Sequence, residues 1–250
     1  MKDKLRLLAE QTGNPALGTF SLDELTEDTV EEGEDNVLIY SQNSKIYLLD
    51  GEQLVELAER DDWISALVSH EGTMYDAVSY GIYETLTGEK IAEREDWVLD
   101  LVSHEGTLYD AGADGGIFET LTGEVIAERD NHIYSLVSHE GVLYDGGHCG
   151  IYETLTGEKI AERDSRIHDL VSHNGVLYEG GAGGTFETLT GEKIAERADA
   201  VFALVSHNGT LYDGGMDGLY ETLTGEKIVE DRISSLASVP RSIFEEAGIL

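Results

Sequence analysis

Residues 101–129 read LVSHEGTLYDAGADGGIFETLTGEVIAER, and close copies of this stretch fill most of the chain. The string Glu-Thr-Leu-Thr-Gly-Glu occurs five times at intervals of 34 or 35 residues, and the string Leu-Val-Ser-His does the same. The first string begins at Glu84, Glu119, Glu153, Glu187 and Glu221. Two separate strings with one period indicate a tandem array of a single structural unit.

The pattern inside the unit predicts strands. Four short runs are separated by glycine-containing segments, namely Leu101–His104, Thr107–Asp110, Ile117–Leu121 and Glu124–Glu128. None of them has the ten or more residues that a helix needs, and the pair Asn174-Gly175 favours a tight hairpin turn. Each unit is therefore predicted to be an antiparallel meander of four strands, A to D, and a helical repeat is rejected.

The partial copies at the two ends predict the number of units. Val37–Tyr40, Lys45–Leu49 and Leu54–Leu57 match strands B, C and D without an A, and Ile233–Val239 matches a strand A without a B. The two fragments add up to one unit, so five whole units and one composite unit are expected. Short four-stranded sheets that must stack on one another suit a propeller. The fold class is predicted to be all-β, a six-bladed β-propeller over residues 37–239, closed by the C-terminal strand.

The segments outside the ring carry weaker patterns. Residues 1–36 are expected to form an N-terminal helical and acidic extension, with helical spacing over Lys2–Gln11 and a capping box that begins a second short helix at Ser21. Residues 240–250 are expected to form a C-terminal tail with a short helix over Arg241–Ala247.

The segment Gly106–Glu124 resembles the central part of WD40 and PQQ-type propeller repeats. In both, a hairpin that ends in glycine leads to a strand, an Asp-Gly loop, another strand and a Thr-Gly turn. The resemblance extends over about residues 37 to 239 and implies a propeller fold. It implies no quinone cofactor.

The charge of the chain excludes several classes of partner. The sequence has 16 Lys and Arg residues against 51 Asp and Glu residues, a formal net charge of −35. Such a surface repels nucleic acid and anionic membranes. With 40% hydrophobic residues and no long apolar run, we expect a folded, soluble, cytoplasmic protein that is a monomer. The acidity also favours a halophilic host, since salt screens self-repulsion.

Three sets of polar residues recur once per unit. A histidine precedes the A–B turn and is expected to bond to its own backbone rather than to hold a metal; these are His70, His104, His139, His173 and His207. An acidic residue follows the tyrosine of strand B and is expected to be a solvated loop carboxylate; these are Asp76, Asp110, Asp145, Glu179 and Asp213. Arginines after strand D, such as Arg94, are expected to form exposed ion pairs between blades.

Calcium is the one cofactor that the sequence suggests. Asp110 with Asp114, and Asp213 with Asp217, are acidic pairs in glycine-rich loops, although the full spacing of a calcium loop is missing. They are weak candidates for a metal site, and otherwise no cofactor is expected.

The units differ mainly in two windows, the D-to-A connection and the B-to-C loop. Both connections lie on the same rim of a four-stranded meander, so the differences should converge around one mouth of the channel. Large aromatic, Arg and His side chains are typical anchors of recognition. The candidate partner-binding residues are Trp63, Trp97, Tyr80, His132, Tyr134, Arg166, His168 and Phe202.

The sequence thus predicts a non-catalytic binding or scaffold module whose rim recognises a protein or peptide, most simply a cationic one. A propeller that binds divalent cations or glycans in its glycine-rich loops is the main alternative. An enzyme built around the channel, loops that have merely drifted, and a recently copied array without selected activity also stay open.

Overall fold

The computed structural model describes residues 36–50, 53–148 and 150–250. The predicted helices over Lys2–Gln11 and from Ser21 lie outside the described residues. The described residues form 24 strands and one short helix, and the strands are arranged in six four-stranded antiparallel sheets. The prediction of an all-β six-bladed propeller is confirmed.

Each sheet is one blade, and its strands follow the order A to D across the sheet. Blade 1 consists of β24 (Ser235–Pro240), β1 (Asn36–Gln42), β2 (Lys45–Asp50) and β3 (Gln53–Glu59). Blade 2 consists of β4 (Ile64–His70), β5 (Thr73–Val78), β6 (Gly81–Glu84) and β7 (Lys90–Glu93). Blade 3 consists of β8 (Val98–His104), β9 (Thr107–Gly112), β10 (Gly116–Glu119) and β11 (Val125–Glu128).

The remaining three blades repeat this order. Blade 4 consists of β12 (Ile133–His139), β13 (Val142–Gly147), β14 (Gly150–Glu153) and β15 (Lys159–Glu162). Blade 5 consists of β16 (Ile167–His173), β17 (Val176–Gly181), β18 (Gly184–Glu187) and β19 (Lys193–Glu196). Blade 6 consists of β20 (Val201–His207), β21 (Thr210–Gly215), β22 (Gly218–Glu221) and β23 (Lys227–Val229).

The A–B turns have the local conformation that their residues favour. In blade 2, Glu71 and Gly72 both have positive φ, 47° and 77°, as a two-residue turn between antiparallel strands requires. Asparagine, which tolerates this conformation better than most residues, takes the first position in blades 5 and 6 (Asn174 and Asn208). The turn chemistry therefore sets the register of strands A and B.

Strand A is longer than the predicted run. In blade 3 the run Leu101–His104 is preceded by three further strand residues, beginning at Val98. These extra residues carry the side chains that differ between blades into the sheet itself. This extension places part of the variable window inside the channel rather than in a loop.

The ring is closed by the two ends of the array. Strand β24 pairs with β1 in antiparallel register, with Leu236 opposite Tyr40 and Val239 opposite Val37. The hydroxyls of Ser41 and Ser235 add a buried hydrogen bond of 2.8 Å across the same pair. The predicted composite blade is confirmed.

The innermost strands are those labelled A, and each contacts the A strand of the next blade around the ring. Apolar side chains fill the spaces between adjacent sheets. Between blades 2 and 3, for example, Ala66, Ala77 and Ile82 pack with Val98 and Leu101 in one buried cluster. Burial of this inter-blade surface stabilises sheets that are too small to fold alone.

Helix α1 (Ser242–Glu246) follows the closing strand. It buries Ile243 and Phe244 in a cluster that also contains Val239. Arg241, which precedes the helix, forms an ion pair of 2.9 Å with Asp50 of blade 1. In the described part of the chain, no helix has both the length and the apolar character that crossing a bilayer requires.

Candidate ligand-binding surface

The six A strands begin around one mouth of the central channel. A narrow cavity of about 150 Å³ lies there, and its lining comes from the first residues of all six strands. The predicted rim residues Trp63, Trp97, His132 and Arg166 each stand one residue before an A strand. The structure therefore places the variable D–A connections around a common opening.

Two tryptophans form a cleft on this rim. Trp63 and Trp97 are 41% and 54% exposed, and they line a cavity of about 250 Å³ together with Asp62 and Ser79. The carboxylate of Asp62 accepts hydrogen bonds from the Ser79 hydroxyl at 2.6 Å and from the backbone N–H of Trp63 at 2.8 Å. These bonds lower the pKa of Asp62, so a fixed negative charge stands beside two aromatic faces.

Tyr80 does not join this cleft. Its side chain is 47% exposed in the B–C turn of blade 2, and its neighbour Ser79 is the residue that contributes to the cleft. Ser79 has a positive φ of 50°, which turns the chain tightly enough to bring its hydroxyl to Asp62.

A continuous series of ring contacts follows the mouth from blade 4 to blade 2. The Tyr134 ring lies 5.4 Å from the His148 ring and 6.0 Å from the His168 ring, and His168 lies 5.2 Å from Phe202. The guanidinium of Arg232 then lies 5.3 Å from the Phe202 ring and 3.8 Å from the Trp63 ring. We call these six residues the aromatic belt.

Two further candidate residues flank the belt. The guanidinium of Arg166 lies 4.8 Å from the centre of the Tyr134 ring, and the His132 ring stacks 5.8 Å from the same tyrosine. The structure thus brings together the candidate residues His132, Tyr134, Arg166, His168 and Phe202, and Arg232 joins them to Trp63.

Charge and burial shift the pKa values of the belt histidines. Burial, and then the charge of Arg166, lower the pKa of His168 to about 4. Burial, Arg166 and His132 also lower the pKa of His148, in that order. Both imidazoles are therefore neutral at pH 7, and His148 Nε2 is 3.1 Å from the Tyr134 hydroxyl.

Asp100 and Asp169, the third residues of their A strands, form hydrogen bonds with neighbouring blades inside the channel. Asp100 accepts the backbone N–H of Leu136 at 2.6 Å, and Asp169 accepts that of Leu204 at the same distance, in each case from the next blade. Ser135 stands between them and donates its hydroxyl to Asp169 at 2.9 Å. The two carboxylates therefore bind neighbouring A strands together.

The position of these carboxylates makes them hard to ionise. They stand in a narrow channel where water solvates a charge poorly, and this raises the pKa of Asp169 to about 7. Desolvation and the nearby charge of Asp169 raise the pKa of Asp100 as well. The hydrogen bonds from Ser135 and the backbone oppose the rise without cancelling it.

The predicted hydrogen-bond partner of the repeated histidines is wrong. Nδ1 of each histidine pairs with a serine hydroxyl of the next blade, at 2.8 to 3.0 Å, and not with its own backbone. The pairs are His70–Ser103, His104–Ser138, His139–Ser172, His173–Ser206 and His207–Ser238. These histidines join blades on the side of the ring away from the belt.

The prediction of solvated loop carboxylates after strand-B tyrosines is also wrong. Asp110 is 1% exposed within β9, and the Arg94 guanidinium donates to its two oxygens at 2.8 and 2.6 Å. Arg94 follows the last strand of blade 2, so the ion pair joins two blades, as predicted, but it is buried rather than exposed. Burial raises the pKa of Asp110, and the bonds from Arg94 oppose that rise.

The calcium candidates have protein partners in the structure. Asp213 is paired with Arg197 in the same way as Asp110 with Arg94. Asp114 accepts the backbone N–H of Gly116 at 2.9 Å, and Asp217 accepts the Tyr220 hydroxyl at 2.8 Å. Within the described residues, no group of three or more His, Cys, Asp or Glu side chains is placed to hold a metal ion.

Sequence reasoning missed Asp100, Asp169 and Arg232. Aligning Ile233–Val239 with the other A strands puts Arg232 at the position of Trp63 and Trp97. The same alignment puts Asp100 and Asp169 at a position that is Ala66, Ser135, Ala203 and Ser235 in the other blades. This variation is present in the repeats, but it falls inside strand A, outside the two variable windows.

Comparison with known proteins supports the fold and nothing finer. No protein-family model matches the chain, and no curated protein sequence matches it. A structure titled as a nidogen/laminin complex is similar with a TM-score of 0.66 at 14% identity, over 82% of this chain and 98% of that one. The extracellular domain of the putative one-component system BT4673 from B. thetaiotaomicron is similar with a TM-score of 0.58 at 17% identity, over 82% of this chain and 35% of that one. These likenesses place the chain among propeller-like folds.

Proposed function

We propose that this protein is a non-catalytic recognition module that binds a peptide segment of a partner protein on the belt side of the ring. The observation that carries the proposal is the cleft between Trp63 and Trp97 beside the Asp62 carboxylate. Aromatic faces with an adjacent carboxylate suit a Lys or Arg side chain. A binding propeller is consistent with the six-bladed fold.

An internal contact supports the choice of a cationic side chain. The guanidinium of Arg232 already lies 3.8 Å from the centre of the Trp63 ring. Trp97 has no comparable partner among the described residues and is the more exposed of the two rings, at 54%. A ligand guanidinium or ammonium would therefore contact Trp97 and the Asp62 carboxylate.

The carboxylates of the channel support a structural role for its wall rather than an acid–base role. The oxygens of Asp100 and Asp169 accept backbone N–H groups of Leu101, Leu136, Leu170 and Leu204. A general acid or base needs an oxygen that can reach the substrate. We therefore propose recognition, without catalysis, as the role of this mouth.

The chain offers a direct optical test. It contains two tryptophans, and both line the cleft, so tryptophan fluorescence reports on the cleft alone. We expect a nine-residue peptide with three Arg-Gly-Gly units to shift the emission and to saturate. The same peptide with citrulline in place of arginine keeps the shape and removes the charge, and it should bind roughly tenfold more weakly.

Variants separate specific binding from general attraction to an acidic protein. Trp97→Ala should weaken the arginine peptide by a similar factor, as measured by calorimetry. Leu155→Ala, which alters a side chain that is 70% exposed in a C–D turn, is the matched control and should bind like the wild type. Equal affinity of the arginine and citrulline peptides, or no loss in Trp97→Ala, would exclude this function.

The divalent-cation alternative is tested in the same calorimeter. Calcium titration that saturates at one site per molecule, and that is lost in Asp114→Asn, would favour a cation-binding propeller over a peptide-binding one.

A further inference from the structure

Two arginines at the channel mouth form no ion pair with a described carboxylate. Six arginines of the described residues form ion pairs with carboxylates: Arg60, Arg94, Arg129, Arg163, Arg197 and Arg241. Arg166 and Arg232 make no hydrogen bond or ion pair with another side chain in the described part of the chain, and Nε of Arg232 is buried without a partner. In a chain with 51 acidic residues, two unpaired guanidinium groups are unexpected.

Both arginines belong to the same half of the channel mouth. They occupy equivalent positions in the D–A connections that enter blades 5 and 1, and the residue at that position between them is Ala200, the smallest of the six. The Arg166 guanidinium lies over the Tyr134 ring, and that of Arg232 lies 3.8 Å from the Trp63 ring and 5.3 Å from the Phe202 ring. His168 contacts the rings of both Tyr134 and Phe202. At the rim position between the two arginines, blade 6 therefore presents only the small side chain of Ala200.

Each guanidinium lies over an aromatic ring, and within the described residues no hydrogen bond to another side chain uses its N–H donors. A guanidinium has five N–H donors in a planar fork that matches the two oxygens of a carboxylate or phosphate. Stacking on an aromatic face does not consume those donors. Each arginine therefore has N–H donors that no other described side chain uses and that suit an oxyanion.

We propose that this half of the mouth, formed by Arg166, Arg232 and Ala200, is a subsite for an anionic group of the ligand, a carboxylate or a phosphate. The inference rests on the proposed peptide recognition and refines it, because the cleft beside Asp62 favours a cation while this half favours an anion. The recognised segment then carries both charges, and the two subsites fix its direction on the rim.

The neighbouring charges agree with this assignment. After burial, the charge of Arg166 contributes to the lowered pKa of both His148 and His168, so its guanidinium is close enough to both imidazoles to oppose their protonation. Among the described residues, the carboxylates in the same connections pair with neither arginine; these are Asp164, Asp199 and Asp231. The Asp169 carboxylate lies deeper, and it accepts hydrogen bonds from the Ser135 hydroxyl and from backbone N–H groups.

Peptides test the subsite through charge differences at constant length. The probes are the three-arginine peptide with one added residue, either Glu, Gln or phosphoserine. We expect the Glu and phosphoserine peptides to bind the wild type roughly three- to tenfold more tightly than the Gln peptide. Comparison of Glu with phosphoserine shows which oxyanion the subsite prefers.

The variants Arg166→Gln and Arg232→Gln should abolish the preference for Glu over Gln. Lys193→Gln removes the same charge from blade 5 away from the mouth, so it should keep the preference. Trp97→Ala should weaken all peptides and keep the preference too. Equal binding of Glu and Gln peptides to the wild type, or a preference that survives in the double arginine variant, would overturn the proposal.

A second readout does not depend on peptide binding. Acetate and inorganic phosphate, compared with acetamide at the same ionic strength, should shift the Nε–H resonance of Arg232 and raise the pKa of His168 in NMR titrations. If the peptides fail to bind and the anions still produce these shifts, the peptide function is wrong and the anion subsite stands. If the anions produce no shift, the subsite is wrong whatever the peptides do.

Discussion

Nδ1 of His70 in blade 2 lies 2.9 Å from Oγ of Ser103 in blade 3, and this contact is repeated around the ring until it reaches the closing strand. There the position of the histidine is taken by Val239, which is fully buried with Ile243 and Phe244 of helix α1. The junction between blades 1 and 2 is thus sealed by apolar packing, where the other five junctions have a His–Ser hydrogen bond.

Because of this difference, two serines at equivalent positions of the repeat have different partners. Ser138 pairs with His104 at 2.8 Å, whereas Ser69, the equivalent residue of blade 2, faces the junction where Val239 replaces histidine. Ser138→Ala should lower the free energy of unfolding by about 1 kcal/mol, because it removes one hydrogen bond between blades. Urea denaturation measures the change.

Ser69→Ala is the matched control and should leave the midpoint of the urea transition nearly unchanged. If the two alanine variants lose the same stability, the His–Ser contacts do not hold the blades together.

The buried arginine–carboxylate pairs contain one exception. Glu179 takes the place of aspartate in blade 5, and its Oε2 is buried without a hydrogen-bond partner. In blade 4, by contrast, the Arg129 guanidinium donates to both oxygens of Asp145 at 3.0 and 2.6 Å. The longer side chain of Glu179 does not allow the two-bonded geometry.

We expect Glu179→Asp to raise the free energy of unfolding by about 1 kcal/mol, because an unsatisfied buried acceptor costs roughly 1–3 kcal/mol and the shorter side chain leaves a small cavity. The reciprocal change, Asp145→Glu, should lower it. Urea midpoints of both variants test this, and a loss of stability in Glu179→Asp would show that blade 5 has adapted to glutamate.

The sequence predicted the architecture because the repeat period and the two partial copies determine the number of blades and the closing strand. It did not predict the partners of the repeated polar residues, because those contacts lie between residues about one period apart. His104 and Ser138 are 34 positions apart, and within one unit the histidine simply precedes a turn. Only the ring geometry brings strand A of one blade beside strand A of the next.

The candidate site was predicted in part for a related reason. Tyr134, His168 and Phe202 differ between units, which marks them as candidates, and the mouth of the channel brings them together. Arg232 lies in the degenerate sixth copy, where the motif that marks the other five is too altered to serve as a guide. Tyr80 also differs between units, yet the B–C turn directs it outside the Trp63–Trp97 cleft.

The acidic surface makes stability depend on salt. At a formal net charge of −35, repulsion between exposed carboxylates opposes the compact state, and salt screens it. The melting temperature should rise between low salt and molar KCl, with roughly 2–4 °C for each kcal/mol gained. Exchange of three exposed C–D turn residues, Glu124, Glu158 and Glu192, for lysine changes the charge to −35 + 6 = −29 and should reduce the rise. A melting temperature that is flat across this range would exclude a halophilic adaptation.

The raised pKa of Asp169 predicts that the free energy of unfolding falls as the pH rises. A carboxylate whose pKa is lowered by an ion pair has the opposite effect. The pKa of Asp169 is raised from 3.8 to about 7 by its position in the channel, so folding favours the protonated form. Its contribution to stability is complete below pH 3.8 and is lost as the pH rises towards 7, because ionisation then costs more in the folded state than in the unfolded one. Asp169→Asn cannot ionise and should be free of this loss.

The wild type should therefore lose stability relative to Asp169→Asn between pH 4 and pH 8, by an amount on the order of 4 kcal/mol. Urea unfolding at pH 4, 6 and 8 gives the difference in free energy of unfolding between the two proteins at each pH. The change of this difference with pH is the test, because asparagine also replaces one acceptor oxygen that faces Leu204 and so adds a constant effect. Asp114→Asn makes the same change of charge at an exposed loop residue and serves as the matched control. A difference that is constant across the three pH values would mean that Asp169 ionises as readily in the channel as it does in the unfolded chain.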